Sequence, residues 1–147
     1  MTLVMSNSLR EILFKAKRVD NGEWVVGQYV NTCYPGNDKE TGHFIVVYPN
    51  EYHEIYTSTI CQFTGLYDRY GNKIWENDIL KAWSDEYAHV KFGFYNTGFE
   101  IGNYNQGFYA AFSEGSYYRH ELGYWCKETY VIGNIFDNKE LLQEEHK

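Results

Sequence analysis

Apolar and polar residues alternate with a period of two along most of the chain. In "REILFKAKRVDNGEWVVGQYV", from Arg10, Ile12, Phe14 and Ala16 alternate with Lys15 and Lys17, the pattern of a half-buried strand. Asn21-Gly22 follows, two residues that tolerate positive φ and predict a hairpin. On the return strand Trp24, Val26 and Gln28 share one face, and Val25, Gly27 and Tyr29 the other. Residues 31–42, "NTCYPGNDKETG", are turn formers throughout and predict an exposed loop. "HFIVVYP" (43–49) predicts a short apolar strand closed by Pro49. "EYHEIYTSTI" (51–60) predicts a strand whose β-branched residues fall towards its end.

The stretch "QFTGLYDRYGNKIWENDIL" (62–80) interrupts this rhythm with a polar hexamer between apolar flanks. Asp68 suits the first position of a type I turn and Gly71 the fourth, where a left-handed glycine leads into a hairpin with a one-residue bulge. Phe63 and Leu66 on one arm, Ile74 and Trp75 on the other, supply anchors for the core. Asn77-Asp78 predicts a second tight bend, because asparagine tolerates the left-handed region. "ILKAW" leaves it as a strand.

In "YAHVKFGFY" (87–95), Val90, Phe92 and Phe94 share one face, and His89, Lys91 and Gly93 the other. "GFEIGNY" and "GFYAAF" continue the β pattern. Residues 113–128 are mixed and turn-rich, and "ETYVIGNIFD" (128–137) predicts the last strand. Asp137 with Glu140 three residues on resembles a capping box that opens a short helix over "NKELLQEEH".

Composition sharpens this picture. Aromatic residues make up 19% of the 147, which favours pleated, half-buried surfaces over helices. The formal charge of −7 disfavours general attraction to phosphate backbones. Cys33, Cys61 and Cys126 are odd in number and contain no CxxC pair, which predicts buried thiols in a reducing compartment. The first residues lack the basic and apolar regions of a signal peptide, and no apolar run is long enough to span a membrane. The expectation is a soluble, cytoplasmic protein.

Three blocks, "REILFKAKRVDNGEWVVGQYV", "QFTGLYDRYGNKIWENDIL" and "YVIGNIFDNKELL", together resemble the YopX family, encoded mostly by bacteriophages and prophages. Order and spacing agree over residues 9–142, with a variable region at 84–127. Asn77 stands where the family usually has glycine, and Lys139 where proline often opens the final helix. The resemblance implies a mainly β protein of small-barrel character, SH3-like or partly open, with an N-terminal β-hairpin subdomain and a short C-terminal helix. Residues 1–8, small and polar without a pattern, are expected as a flexible arm before one β domain over 9–142: a hairpin part at about 9–60, a barrel part at about 61–136, and a helix at 138–146. The resemblance implies no reaction.

Candidate chemistry is sparse. The five histidines, at 43, 53, 89, 120 and 146, form no HxH, HExxH or His-Cys pair, so no metal site is expected. No nucleophile elbow, P-loop or dinucleotide fingerprint is present, and neither a catalytic residue nor a cofactor is expected. Gly93, Gly98, Gly102 and Gly107 predict bulges and turns. Tyr95, Asn96, Asn103, Tyr104, Asn105, Gln106 and Tyr109 are candidates for a platform that stacks bases or sugars. The blander expectation, which we favour, has Phe92, Phe94, Phe99 and Phe112 filling the core while the tyrosines cover sheet edges or a subunit interface. Lys15, Lys17 and Arg18, with Arg10 nearby, form the one basic cluster, a solvated stripe or a weak phosphate site.

The leading expectation is therefore a non-enzymatic phage or prophage accessory protein that acts by protein–protein contact. It would bind itself as a homo-oligomer, or bind a phage or host protein. One alternative is a small-barrel module for single-stranded nucleic acid, which requires salt-sensitive binding. Another is an enzyme of unidentified type, which requires a deep pocket with convergent titratable groups.

Overall fold

The computed structural model describes residues 10–96, 102, 104–112 and 119–143. The predicted arm at 1–8, Gly98, Phe99, Asn103 and the helix residues beyond 143 lie outside the described residues. The chain divides between Ile60 and Cys61 into two compact units.

In the first unit, β1 (Phe14–Lys17), β2 (Trp24–Tyr34), β3 (Asn37–Val47) and β4 (Glu51–Glu54) pair antiparallel in the order β4-β3-β2-β1. Ala16, Ile45 and Ile55 are buried at its centre, with Phe14, Val25, Tyr29, Val47 and Ile60 packed around them. The alternation in the sequence thus selects the inner face, and Lys15 and Lys17 pair with Val26 and Trp24 on the outer one. The β1–β2 hairpin forms, but its loop is wider than a two-residue turn. Arg18 N donates to Glu23 O and Gly22 N to Arg18 O, with Gly22 alone left-handed in the loop at φ 73°.

The predicted loop at 31–42 is instead mostly strand. Pairing runs from Asn31↔His43 to Cys33↔Thr41 and, after a register shift, resumes at Tyr34↔Asn37, where Pro35-Gly36 closes the turn with Gly36 at φ 80°. Backbone pairing between two long neighbours overrides the turn preference of side chains that stay exposed. In 51–60 the strand occupies the first half, and Thr57–Thr59 form a 3-10 turn. There the Thr59 hydroxyl donates to Tyr56 O and accepts from Lys17 N.

The second unit contains β5 (Cys61–Tyr67) paired with β6 (Lys73–Trp75), followed by β7 (Asp78–Ala82), β8 (Tyr87–Asn96), β9 (Tyr104–Phe112), α1 (Leu122–Trp125), β10 (Thr129–Asn134) and α2 (Lys139–Gln143). Four strands form an open antiparallel sheet in the order β10-β7-β8-β9. Ile74, Leu80, Val90, Leu122 and Cys126 form its core, with Leu66, Phe108 and Val131 packed against them. The fold is mainly β with a short C-terminal helix, as expected. That helix begins at Lys139, one residue after Asn138, while Asp137 belongs to the preceding turn, where its N–H donates to Asn134 Oδ1.

Asp68 joins the turn to the sheet. Gly71 N donates to Asp68 O, and Gly71 is left-handed at φ 85°. The Asp68 carboxylate accepts from the backbone N–H groups of Tyr70, Asn72 and Val131, each at 2.9 Å, and from Asn72 Nδ2 at 3.2 Å. Asn77, at φ 73°, turns the chain into β7, and the Asp78 carboxylate accepts from Trp75 N at 2.8 Å.

The aromatic ribbon of β8 and β9, a candidate interaction surface

β8 and β9 pair without a register shift from Ala88↔Phe112 to Asn96↔Tyr104. Strict alternation gives the ribbon two faces. On one, Ala88, Val90 and Ala110 are fully buried, and Trp125 of α1 packs on Ala88 and Ala110. The Trp125 ring meets Phe112 edge-on at 4.7 Å between centroids, and its indole N–H donates to Arg119 O.

This cover stops halfway along the ribbon. A ten-residue strand is about 33 Å long, whereas a four-residue helix covers about 6 Å. The same face therefore continues into solvent: Phe92 is 53% exposed, Phe94 70% and Tyr104 59%. Phe92 meets Phe108 edge-to-face at 5.0 Å. The expectation that Phe92 and Phe94 fill the core is thus corrected, while Phe112 does pack inward. Alternation predicts the face a residue shares. It does not predict where along the strand the covering element ends.

On the opposite face the Tyr95 and Tyr109 rings lie 5.7 Å apart, inclined by 31°. They sit over Gly93 and Gly107, which face each other in mid-strand rather than forming a bulge or turn. A Cβ on Gly93 would lie 3.8 Å from the Tyr109 ring, and one on Gly107 3.9 Å from that of Tyr95. The glycines leave room for rings to lie flat across the strands. Gly102, left-handed at φ 94°, is in a turn as expected.

Phe94, Tyr95, Asn96, Tyr104, Tyr109 and His120 line a shallow hollow of about 200 Å³ at this end of the ribbon. Four sequence candidates, Tyr95, Asn96, Tyr104 and Tyr109, thus come together, and Asn105 lies exposed opposite Tyr95. Apart from the tyrosines, His120 is the one titratable side chain lining the hollow among the described residues. Nearer the core, His89 is half-buried, and desolvation, aided by the Lys91 charge, lowers its pKa below the ordinary histidine value.

The basic candidates belong to the first unit and are engaged there. The Lys15 and Lys17 ammonium groups lie 4.6 and 5.4 Å from the Trp24 ring centroid, and Arg18 forms a two-point ion pair with Asp20. Other histidines have local partners: His43 stacks on Tyr29 with a 2.6 Å hydrogen bond to its hydroxyl, and His53 lies 3.1 Å from Glu51. Among the described residues no three His, Cys, Asp or Glu are grouped to hold a metal ion. Cys61 and Cys126 are buried as expected, and burial pushes the Cys126 thiol pKa up. Cys33 is exposed, on the part of β2 expected as a loop, where it pairs with Thr41 of β3.

The sequence reading missed a second aromatic cluster. The Arg69 guanidinium lies 3.5 Å from the centroid of the exposed Trp83 ring, and Tyr70 stacks edge-on against Tyr130 at 5.5 Å. Nη1 of Arg69 is buried without a hydrogen-bond partner among the described residues. No spacing rule links 69, 83 and 130; the antiparallel pairing of β10 with β7 brings the last two regions together, and Arg69 N joins them by donating to Thr129 O.

No curated protein matches the chain. The model of the family described as YopX protein matches residues 13–143, which covers most of the chain and takes in the three blocks that carry the resemblance except Arg10, Glu11 and Ile12 at the start of the first. The chain belongs to the YopX family.

Proposed function

We propose that this is a non-enzymatic phage or prophage accessory protein of the bacterial cytoplasm, acting by protein–protein contact and by self-association in particular. The carrying observation is the solvent-facing half of the ribbon, where Phe92 and Phe94 continue a face whose other half is core. Large apolar side chains gathered on one exposed patch mark a surface that a protein covers. Burying a phenylalanine side chain stabilises by about 1.5–3 kcal/mol, so covering both rings supplies a substantial part of a contact. The hollow supports the same reading, since tyrosines and amides around a shallow depression suit a protein surface better than a reaction centre.

The test is light scattering on size-separated protein across a concentration range, for the natural chain and for Phe92→Ser/Phe94→Ser. The reading expects the natural chain to associate and the double variant to lose that association while its melting temperature changes little. A natural chain that stays monomeric and binds no other protein through these residues would refute it.

The Tyr95–Tyr109 pair favours a second reading, stacking of single-stranded nucleic acid. Fluorescence anisotropy with labelled single-stranded DNA and RNA at low salt tests it, and absence of binding ends it.

A further inference from the structure

The outer edge of β9 carries more than exposed rings. Ala110 N donates to His120 O, so the Ala110 N–H points away from β8. In an antiparallel pair, residues alternate between exchanging both backbone bonds with the neighbour and directing both groups outward. Because the register from Ala110 to Tyr104 has no shift, Phe108, Gln106 and Tyr104 also face outward. The bridge from Tyr109 to Glu121 covers the edge at the Phe108–Ala110 end. Among the described residues, Tyr104 and Gln106 face outward with no strand beside them.

We infer that this edge pairs antiparallel with the same edge of a second copy, with Asn105 facing Asn105 of that copy across a two-fold axis. This rests on the self-association reading and adds its segment, register and symmetry. Tyr104 then exchanges both backbone bonds with Gln106 of the other copy, and reciprocally. The covered end of the edge fixes the register, since sliding the partner towards Ala110 would collide with the strand segment at Glu121.

Charge selects a second copy as the occupant. Proteins block edge pairing with lysine, proline or inward charges. The segment "YNQGFYA" (104–110) has none of these, although the chain carries a net charge of −7. A two-fold pairing sets each residue on the axis against itself, so a charge there would repel its own copy. A neutral segment in a chain of net charge −7 meets that requirement. Pairing also brings Phe92, Phe94 and Tyr104 of each copy onto one continuous face.

The experiment measures self-association by sedimentation velocity for the natural chain, Gln106→Pro, Asn105→Lys and Asn105→Glu. Gln106 directs its N–H outward, so proline removes no bond within the β8–β9 ladder and circular dichroism should be unchanged. The natural chain should associate, Gln106→Pro should weaken association at least about tenfold, and each Asn105 variant alone should be monomeric. An equal mixture of Asn105→Lys and Asn105→Glu should restore the dimer.

A natural chain that self-associates but ignores Gln106→Pro, or Asn105 variants that do not complement, overturns the edge pairing and leaves the contact reading standing. A monomeric natural chain overturns the pairing. If it then binds another protein in a manner abolished by Gln106→Pro, the edge serves a foreign strand instead. If it binds none, the contact reading falls as well.

Discussion

Replacing Asp68 by asparagine should show how much of the second unit depends on one carboxylate. Asp68 is only 5% exposed, and its two oxygens accept four hydrogen bonds, three from backbone N–H groups. An amide of nearly equal size keeps one acceptor oxygen and presents an NH2 donor in place of the other. The milder orientation sets that donor against Val131 N–H and Asn72 Nδ2, losing two bonds and leaving the Val131 N–H unpaired. A hydrogen bond to a charged group contributes about 1.5–3 kcal/mol, and an unsatisfied buried donor costs about 1–3 kcal/mol. A loss of about 3 kcal/mol follows, or about 6–12 °C in melting temperature for a chain of this size.

Thermal denaturation followed by circular dichroism at pH 7 measures the loss. The pH dependence provides an internal control. Burial opposes ionisation of Asp68, but the N–H donors of Val131, Asn72 and Tyr70 outweigh it and hold the pKa below the ordinary carboxylate value. A depressed folded pKa gives stability that is complete above the unfolded value, about 3.9, and lost as pH falls through the folded one. The difference between natural and variant chains should therefore persist at pH 5 and shrink well below pH 4. A variant melting within about 2 °C of the natural chain at pH 7 would refute the reasoning.

Asn77→Ala should destabilise the second unit by about 1–2 kcal/mol, because Asn77 sits at φ 73° and its Nδ2 lies 3.5 Å from Cys61 Sγ. Asn77→Gly should cost distinctly less, and equal melting temperatures for the two would remove the conformational explanation. NMR titration of His89 should give a pKa below the ordinary 6.5, since burial disfavours its charged form. Its contribution to stability is then complete above the unfolded pKa and declines as pH falls towards the folded one; a titration above 6.5 would contradict this.

The parts of this fold that local chemistry dictates were legible in the sequence. Asp68, Gly71 and Asn77 occupy the turn positions their side chains suggest, and the alternation in β1 and β8 assigns faces correctly. What local pattern cannot encode was read less well. Thr32 and Thr41 look like loop residues, but they pair with Gly42 and Cys33 because the strands on either side continue towards the Pro35-Gly36 turn. Phe92 and Phe94 look like core because they continue the face of Val90, and only the short reach of α1 leaves them outside. Gly93 and Gly107 suggest bulges or turns, yet they sit in mid-strand and make room for rings from the neighbouring strand.

The candidate surface was half visible in the same way. Tyr95, Asn96, Tyr104 and Tyr109 were recognisable as a group, and the pairing of β8 with β9 brings them around one hollow. Lys15, Lys17 and Arg18 are basic in sequence, but Trp24 and Asp20 engage them within the first unit. The direction of the Tyr104 and Gln106 backbone groups was not legible at all, because it depends on the register of the ribbon and on the His120 carbonyl.

Residue-resolved amide hydrogen exchange at low and high protein concentration shows whether a second copy closes the ribbon along β9. If it does, the Tyr104 and Gln106 amides exchange rapidly when dilute and become protected as concentration rises. Asn105 and Gly107, bonded to β8, should change little. Rapid exchange of Tyr104 and Gln106 at every concentration would contradict it.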